Sequence, residues 1–217
     1  MKGFIFDLDG VLLSTDELHY QAWKKVADKL GIPFDRTIND RLRGVSREAS
    51  LEIILEKYDG RLSAAEKEDL CNEKNEYYKE LLHTLNERTI LPQVRETLKD
   101  LRAQGYRLAV GSSSKNTKTI LQRTELDSCF DAVSDGNNIS KSKPDPEVFL
   151  KAAEYIFLDP KECYVVEDAD AGIDAAVAGG FYPIGIGPAS HCAAAKLKID
   201  DFTQLKDIAR YGSGNAR

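Results

Sequence analysis

Two carboxylates stand two residues apart at Asp7 and Asp9, in the run Asp7-Leu8-Asp9-Gly10 directly behind the apolar Phe4-Ile5-Phe6. A short apolar run closed by glycine reads as a buried strand entering a turn. Carboxylates crowded away from water are costly unless a cation neutralises them. The pair therefore suggests a metal, a nucleophile and an acid/base. Three later loops carry matching chemistry: Ser112-Ser113-Ser114-Lys115-Asn116, Lys143-Pro144, and Glu167-Asp168. Mg²⁺ takes oxygen ligands. Asp7, Glu167 and Asp168 offer side-chain oxygens, and Asp9 its backbone carbonyl. A carboxylate on a metal beside a phosphate is placed for in-line attack on phosphorus, which makes Asp7 the candidate nucleophile. Asp9, on the turn, is the candidate for handling the leaving-group proton. Ser112 would donate to the phosphoryl oxygens, and Lys143 would offset the shared negative charge.

Each piece also has a plain reading. Asp7 to Gly10 could be a solvated turn or part of a calcium loop. An EF-hand, however, places glycine sixth and Glu twelfth, whereas Gly10 is fourth and Leu18 twelfth from Asp7. Ser112 to Asn116 could be an N-cap and turn. It is no Walker A loop, because no second glycine precedes Lys115. Glu167-Asp168 could be a charge pair favoured at a helix start. Lys143 resists the plain reading, since a cation just ahead of a helix opposes its dipole. The order of the four pieces, each after an apolar run, favours phosphoryl transfer.

The elements that must position these residues are legible in the same way. Apolar runs recur at Tyr106–Val110, Ala132-Val133, Tyr164–Val166 and Tyr182–Ile186. Helical segments lie between them: Leu91 to Gln104, closed by Gly105; Pro146 to Ile156; and Ala171 to Ala178, ending at Gly179-Gly180. Strands alternating with helices indicate an α/β fold with a doubly wound parallel sheet. In such a sheet the four chemical loops gather at the carboxyl edge. Residues 15 to 87 break the alternation. His19–Leu30, Ser46–Tyr58 with Ser46 as N-cap, and the capping-box start Ser63-Ala64-Ala65-Glu66 of a helix towards Leu82 are all helical. The expected organisation is a Rossmann-like core, 1–14 and 88–217, with an inserted α-helical cap, 15–87. The tail from Tyr211 to Arg217 is expected to fray.

The bulk numbers are those of an ordinary globular protein: 217 residues, 42% hydrophobic and 30% charged. A net charge of −6 argues against a nucleic-acid surface. Cys71, Cys129, Cys163 and Cys192 are widely spaced, with no Cys-x-x-Cys pair, and are expected to be thiols in a reducing compartment. No apolar run approaches the roughly 20 residues that span a bilayer, and Met1 leads straight into the first strand. A cytoplasmic protein with no membrane partner is expected. The absence of an exposed apolar stripe points to a monomer.

The motifs Asp7-Leu8-Asp9-Gly10-Val11, Ser112, Lys143-Pro144 and Glu167-Asp168 resemble the haloacid dehalogenase-like superfamily. The resemblance implies a doubly wound core, an aspartyl-phosphate and Mg²⁺. An aspartate at position 9 implies a phosphatase or a mutase. Leu42-Arg43-Gly44-Val45-Ser46-Arg47-Glu48-Ala49-Ser50 looks like the cap signature of the β-phosphoglucomutase family. So do Thr15, His19, Trp23, Glu73-Lys74-Asn75 and Ser112 to Asn116. By that resemblance His19 contacts Asp9 or couples cap closure to it. Arg47, Ser114, Lys115 and Asn116 would hold the phosphate that is not transferred, with Ser113 and Ser46 beside them. Arg43, Gly44, Val45, Ser50 and Lys74 would line the sugar side. Thr15 and Trp23 join the substrate-binding set, although Trp23, on the same helix face as His19, fits cap packing better than sugar stacking. Arg43 stands where a Lys is common, and Ser14 where an Asp often precedes Thr15.

The implied reaction interconverts β-D-glucose 1-phosphate and glucose 6-phosphate through β-glucose 1,6-bisphosphate. A mutase must grip both ends of that bisphosphate, so it needs a second phosphate-binding site some distance from Asp7. Arg47 suits that task as a bidentate phosphate donor. The alternatives are a sugar-phosphate phosphatase, a mutase for another hexose phosphate, or a regulatory phosphosugar-binding module without turnover.

Overall fold

The computed structural model describes residues 1–42 and 45–212, the last two by backbone alone. The chain divides into two compact units, Met1–Ser14 with Asn86–Arg217, and Thr15–Leu85.

The first unit is built on six parallel strands: β1 (Gly3–Phe6), β2 (Arg107–Gly111), β3 (Ala132–Ser134), β4 (Cys163–Glu167), β5 (Tyr182–Ile186) and β6 (Leu197–Ile199), in the order β3-β2-β1-β4-β5-β6. Every residue of β1 and β4 is buried, as expected of strands covered on both faces. β6 is the one strand the apolar runs did not indicate. It is three residues long, and an exposed Lys198 interrupts it. Among the described residues the chain moves outward from β1 through β2 to β3, then returns to β4 and moves the other way. The strand order therefore reverses between β1 and β4, and connections diverge there at the carboxyl edge.

The helices of this unit begin and end where local chemistry dictates. The second-unit helices come first in the chain, so we number from them: α1 (Asp16–Lys29), α2 (Arg36–Asp40), α3 (Arg47–Leu55) and α4 (Ala64–Leu82). The sheet unit then adds α5 (Pro92–Ala103), with proline in its first turn, α6 (Thr117–Arg123), α7 (Glu147–Tyr155), α8 (Asp170–Ala178) and α9 (Leu205–Gly212). Phe149, Ala152 and Ile156 from the α7 region pack with Ile5, Ala109, Val165 and Phe181 into one apolar cluster. α9 carries the helix past Tyr211, where fraying was expected; residues 213–217 lie outside the described part.

The helical unit has its own core. Trp23, Val26 and Ala27 of α1 meet Leu51 and Ile54 of α3 and Leu70 and Cys71 of α4. Ser46 caps α3 by accepting from the Ala49 N–H, and Ser63 with Glu66 closes the capping box of α4. Ile38, on the five-residue α2, joins the same core. Among the described residues no helix is long and apolar enough to cross a membrane.

Candidate active site

Asp7 follows β1 directly, and its N–H continues the ladder by donating to the Val166 carbonyl at 3.0 Å. Phe6 pairs with Val166, so Asp7 stands beside Glu167 at the reversal point of the sheet. Both are buried, Asp7 at 8% and Glu167 at 1% exposure. Lys143 reaches them from the loop after β3. Its Nζ lies 2.5 Å from Asp7 Oδ1 and also contacts Glu167 Oε1. The Lys143 ammonium also lies over the Phe149 ring, 4.6 Å from Nζ to centroid. Burial alone would pull the Lys143 pKa down, but the Asp7 and Glu167 carboxylates outweigh it and hold the pKa above the ordinary lysine value.

One lysine does not neutralise this cluster. Burial, joined by the charge of Asp7, pushes Glu167 up to about 7 in spite of Lys143. Burial, then Asp7, Glu167 and Asp9, pushes Asp168 up to about 8. Asp7, Glu167 and Asp168 each offer an oxygen, all within 4.8 Å of one another. Hard oxygen donors carrying excess negative charge are the donor set that suits Mg²⁺. These three residues fit such an ion.

Two glycines let the carboxylates approach. Gly10 has φ +78°, and a Cβ there would lie 1.9 Å from Asp168 Oδ2. Gly172, on α8, faces the Glu167 carboxylate, and a Cβ there would stand 2.0 Å from its Cδ. Glu167 Oε2 is meanwhile held by the N–H groups of Asp168 and Ala169, at 3.0 and 3.1 Å. Nothing in the sequence marked Gly172, because its value lies in the space it leaves for a residue five positions earlier. Alanine would favour an exposed helix by about 0.5–1 kcal/mol, yet overpacking costs about 1–3 kcal/mol. Gly172→Ala is therefore expected to be destabilised on balance, read as a lower urea midpoint with unchanged slope.

Ser112 follows β2 and is buried; its N–H donates to the Ser134 carbonyl at 3.1 Å. Ser112 Oγ accepts from the Ser114 N–H, and Ser114 Oγ from the Asn116 N–H, both at 3.2 Å. Lys115 is exposed, and Asn116 is buried at the start of α6. The Ser113 hydroxyl is buried without a hydrogen-bond partner among the described residues. Asp9 sits half-buried on the turn after Asp7.

In the helical unit, the Lys74 ammonium lies 2.8 Å from His19 Nδ1. Lysine can only donate, so Nδ1 accepts and the ring proton sits on Nε2. Burial, then the charges of Lys74 and Arg47, pushes the His19 pKa well below its ordinary value. The ring also lies against Tyr78, whose hydroxyl donates to Thr15 Oγ1 at 3.0 Å. Lys74 is buried at 3% exposure with its ammonium near the Tyr78 and Trp23 rings. Arg47 is half-buried, and its Nη2 donates to Asn75 Oδ1 at 2.9 Å. Ser50 is buried and Val45 exposed. Ser46 spends its hydroxyl on capping α3. Trp23, grouped above with the substrate residues, is 2% exposed within the apolar core, so packing accounts for it. Arg43 and Gly44 lie outside the described residues.

Comparison with known proteins identifies the family. The profile of the haloacid dehalogenase-like hydrolase family matches residues 4–186. The chain is 39% identical over 207 residues to a β-phosphoglucomutase of Bacillus subtilis (strain 168), covering 94% of this chain and 92% of that protein. It is 31% identical over 183 residues to a phosphorylated carbohydrates phosphatase of Thermotoga maritima, covering 83% and 82%. The crystal structure of a β-phosphoglucomutase from Clostridium difficile superposes with a TM-score of 0.90 at 35% identity, over 100% of both chains. The chain thus belongs to the haloacid dehalogenase-like hydrolase family and, within it, to the β-phosphoglucomutase group.

Proposed function

We propose that this protein is a β-phosphoglucomutase, interconverting β-D-glucose 1-phosphate and glucose 6-phosphate through an aspartyl-phosphate at Asp7 and β-glucose 1,6-bisphosphate. The observation that carries the phosphoryl-transfer reading is Asp7 joined to the buried Lys143 beside Glu167 and Asp168. Mg²⁺ held by Asp7, Glu167 and Asp168, with the Asp9 carbonyl, would supply positive charge to the phosphoryl oxygens.

The chain's own groups divide the work. A carboxylate oxygen of Asp7 attacks the phosphorus of the 1-phosphate, and the bond from phosphorus to the sugar oxygen breaks. Asp9 gives that oxygen its proton. In the other half-reaction Asp9 removes the proton of the sugar 6-hydroxyl as that oxygen attacks the aspartyl-phosphate. That attack breaks the bond from Asp7 to phosphorus and forms the bisphosphate, which turns end for end before Asp7 attacks its 1-phosphate and releases glucose 6-phosphate. Ser112 and Lys143 stabilise the charge that builds on the phosphoryl group. Arg47, Ser114, Lys115 and Asn116 are assigned to the phosphate that stays on the sugar, with Ser113 as a further donor. Thr15, His19, Val45, Ser50 and Lys74 are assigned to the sugar and to its coupling with Asp9. Exclusion of water, which would discharge the phosphoenzyme, falls to the helical unit.

A second reading, a sugar-phosphate phosphatase, draws on the 31% identity to the Thermotoga maritima enzyme. Product analysis separates the two. β-Glucose 1-phosphate with Mg²⁺ and a trace of the bisphosphate should give glucose 6-phosphate far ahead of free phosphate. Comparable phosphate release from many sugar phosphates would favour the phosphatase. Arg47→Ala sharpens the test: isomerisation should fall on the order of 10²-fold, the scale of a lost charged phosphate contact in a transition state, with slow hydrolysis of the phosphoenzyme nearly unchanged. Equal losses would count against a separate phosphate grip.

Magnesium binding should depend on pH in a defined direction. Glu167 and Asp168 are raised to about 7 and about 8, against ordinary values of about 4. Without metal, the folded state keeps protons that the unfolded chain releases, so this contribution to stability falls as pH rises from about 4 to about 8. A divalent ion competes with those protons. The rise in Tm on adding MgCl₂ should therefore be larger at about pH 8.5 than at about pH 6. Equal shifts would contradict the assignment of these two residues as ligands.

A further inference from the structure

The run Ser112 to Asn116 has no regular structure of its own, and the turn after β3 is what fixes it. Ser112 N–H donates to the Ser134 carbonyl at 3.1 Å, and Gly136 N–H donates to the Ser114 carbonyl at 3.1 Å. Asn137 Nδ2 donates to the Lys115 carbonyl at 2.8 Å. A Cβ on Gly136 would lie 2.3 Å from the Ser113 carbonyl oxygen and 3.0 Å from the Lys115 N and Cγ. The obstacle at Ser113 is backbone, which cannot swing aside as a side chain would.

This turn is itself braced. Asn138 Oδ1 accepts from the Asp135 N–H at 3.1 Å and the Ser134 hydroxyl at 3.2 Å, and Asp135 Oδ1 accepts from the Asn137 N–H at 2.9 Å. Lys151 of α7 closes on the Asn138 carbonyl. Asp135 keeps its other oxygen, Oδ2, buried without a hydrogen-bond partner among the described residues. Buried acceptors without partners are uncommon in folded proteins. A rigid turn thus takes up the carbonyls of Ser114 and Lys115 and sets the peptide planes from which the Ser114, Lys115 and Asn116 side chains project.

We propose that Gly136 and Asn137 are positioning residues for the phosphate held by Ser113 to Asn116, and so favour substrates that carry a second phosphate. The inference rests on the mutase reading for the identity of that phosphate. Neither residue touches the transferring phosphoryl group. Each acts through the backbone of the neighbouring loop.

The test uses the full chain and two substrates: β-glucose 1,6-bisphosphate, and p-nitrophenyl phosphate, which has only the phosphate to be transferred. Asn137→Ala removes one hydrogen bond and should raise KM for the bisphosphate about three- to tenfold. Gly136→Ala displaces the loop and should raise it on the order of 10²-fold, as expected for a misplacement approaching 1 Å. Asn137→Ala should hydrolyse p-nitrophenyl phosphate with unchanged kcat and KM, and Gly136→Ala, whose clash falls next to Ser112, should lose far less on it than on the bisphosphate. Equal losses on the two substrates, or no change on either, would overturn the proposal. If Gly136→Ala does not fold, the Asn137→Ala comparison alone decides. Failure of the mutase reading shows itself separately, as wild-type protein that yields no glucose 6-phosphate. The split between one- and two-phosphate substrates remains measurable, because a phosphatase would hydrolyse both.

Discussion

Asp7→Asn should abolish isomerisation, by on the order of 10⁴-fold or more, while leaving a folded protein. The magnitude is that of removing a nucleophile from a site whose groups act as a unit. Asparagine keeps the shape of the side chain but has no carboxylate to bond to phosphorus. The fold should tolerate it, because Lys143 retains Glu167. Asp7 is also one of the charges that raise Glu167 and Asp168. Its removal relieves like-charge crowding, so the metal-free variant should melt no lower than wild type above about pH 7, the range in which these carboxylates ionise. Higher stability with lost turnover is the signature of a strained functional cluster. Kinetics and thermal scans on the same sample check both halves. Retained biological activity in this variant would instead favour a binding module without turnover.

Lys143→Met carries the second large effect, and there stability and activity fall together. The lysine is the one cation in contact with both Asp7 and Glu167 among the described residues. Removing one partner of a buried ion pair costs about 3–5 kcal/mol, because the remaining charge is left uncompensated. The loss should be largest above about pH 7 and smaller at lower pH, where Glu167, already raised to about 7, takes up a proton. MgCl₂ should restore part of the stability. It should not restore turnover, which we expect to fall about 10²–10³-fold with loss of a charge that stabilises the phosphoryl group. Denaturation at two pH values, with and without magnesium, measures the first effect. Full rescue of turnover by magnesium would show that Lys143 serves only to hold the fold.

The parts of this protein legible in its sequence are those whose physics is local. β1, β4 and β5 are buried on both faces and read as unbroken apolar runs. Asp7, Glu167 and Asp168 stand out because charges beside such runs need a reason, and Lys143 because a cation just ahead of a helix opposes its dipole. The helices α1, α4 and α5 are long enough to show a period and a cap. What escaped notice is short or acts at a distance. α2 has five residues, and β6 has three with a lysine among them. α6 begins at Thr117, directly after the residues read for chemistry. Gly172 works by leaving room for Glu167, and Gly136 by leaving room for Ser113. Asn137 works through a carbonyl more than 20 positions back. Trp23 sits in the helical core, as its place on the same helix face as His19 suggested.

The most direct test is to trap the covalent step. Protein mixed with ³²P-labelled β-glucose 1,6-bisphosphate and Mg²⁺, quenched in acid and digested, should carry acid-stable, hydroxylamine-labile label on the peptide that holds Asp7. Label on any other residue, or turnover at full rate with no labelled protein at any time after mixing, would contradict the account.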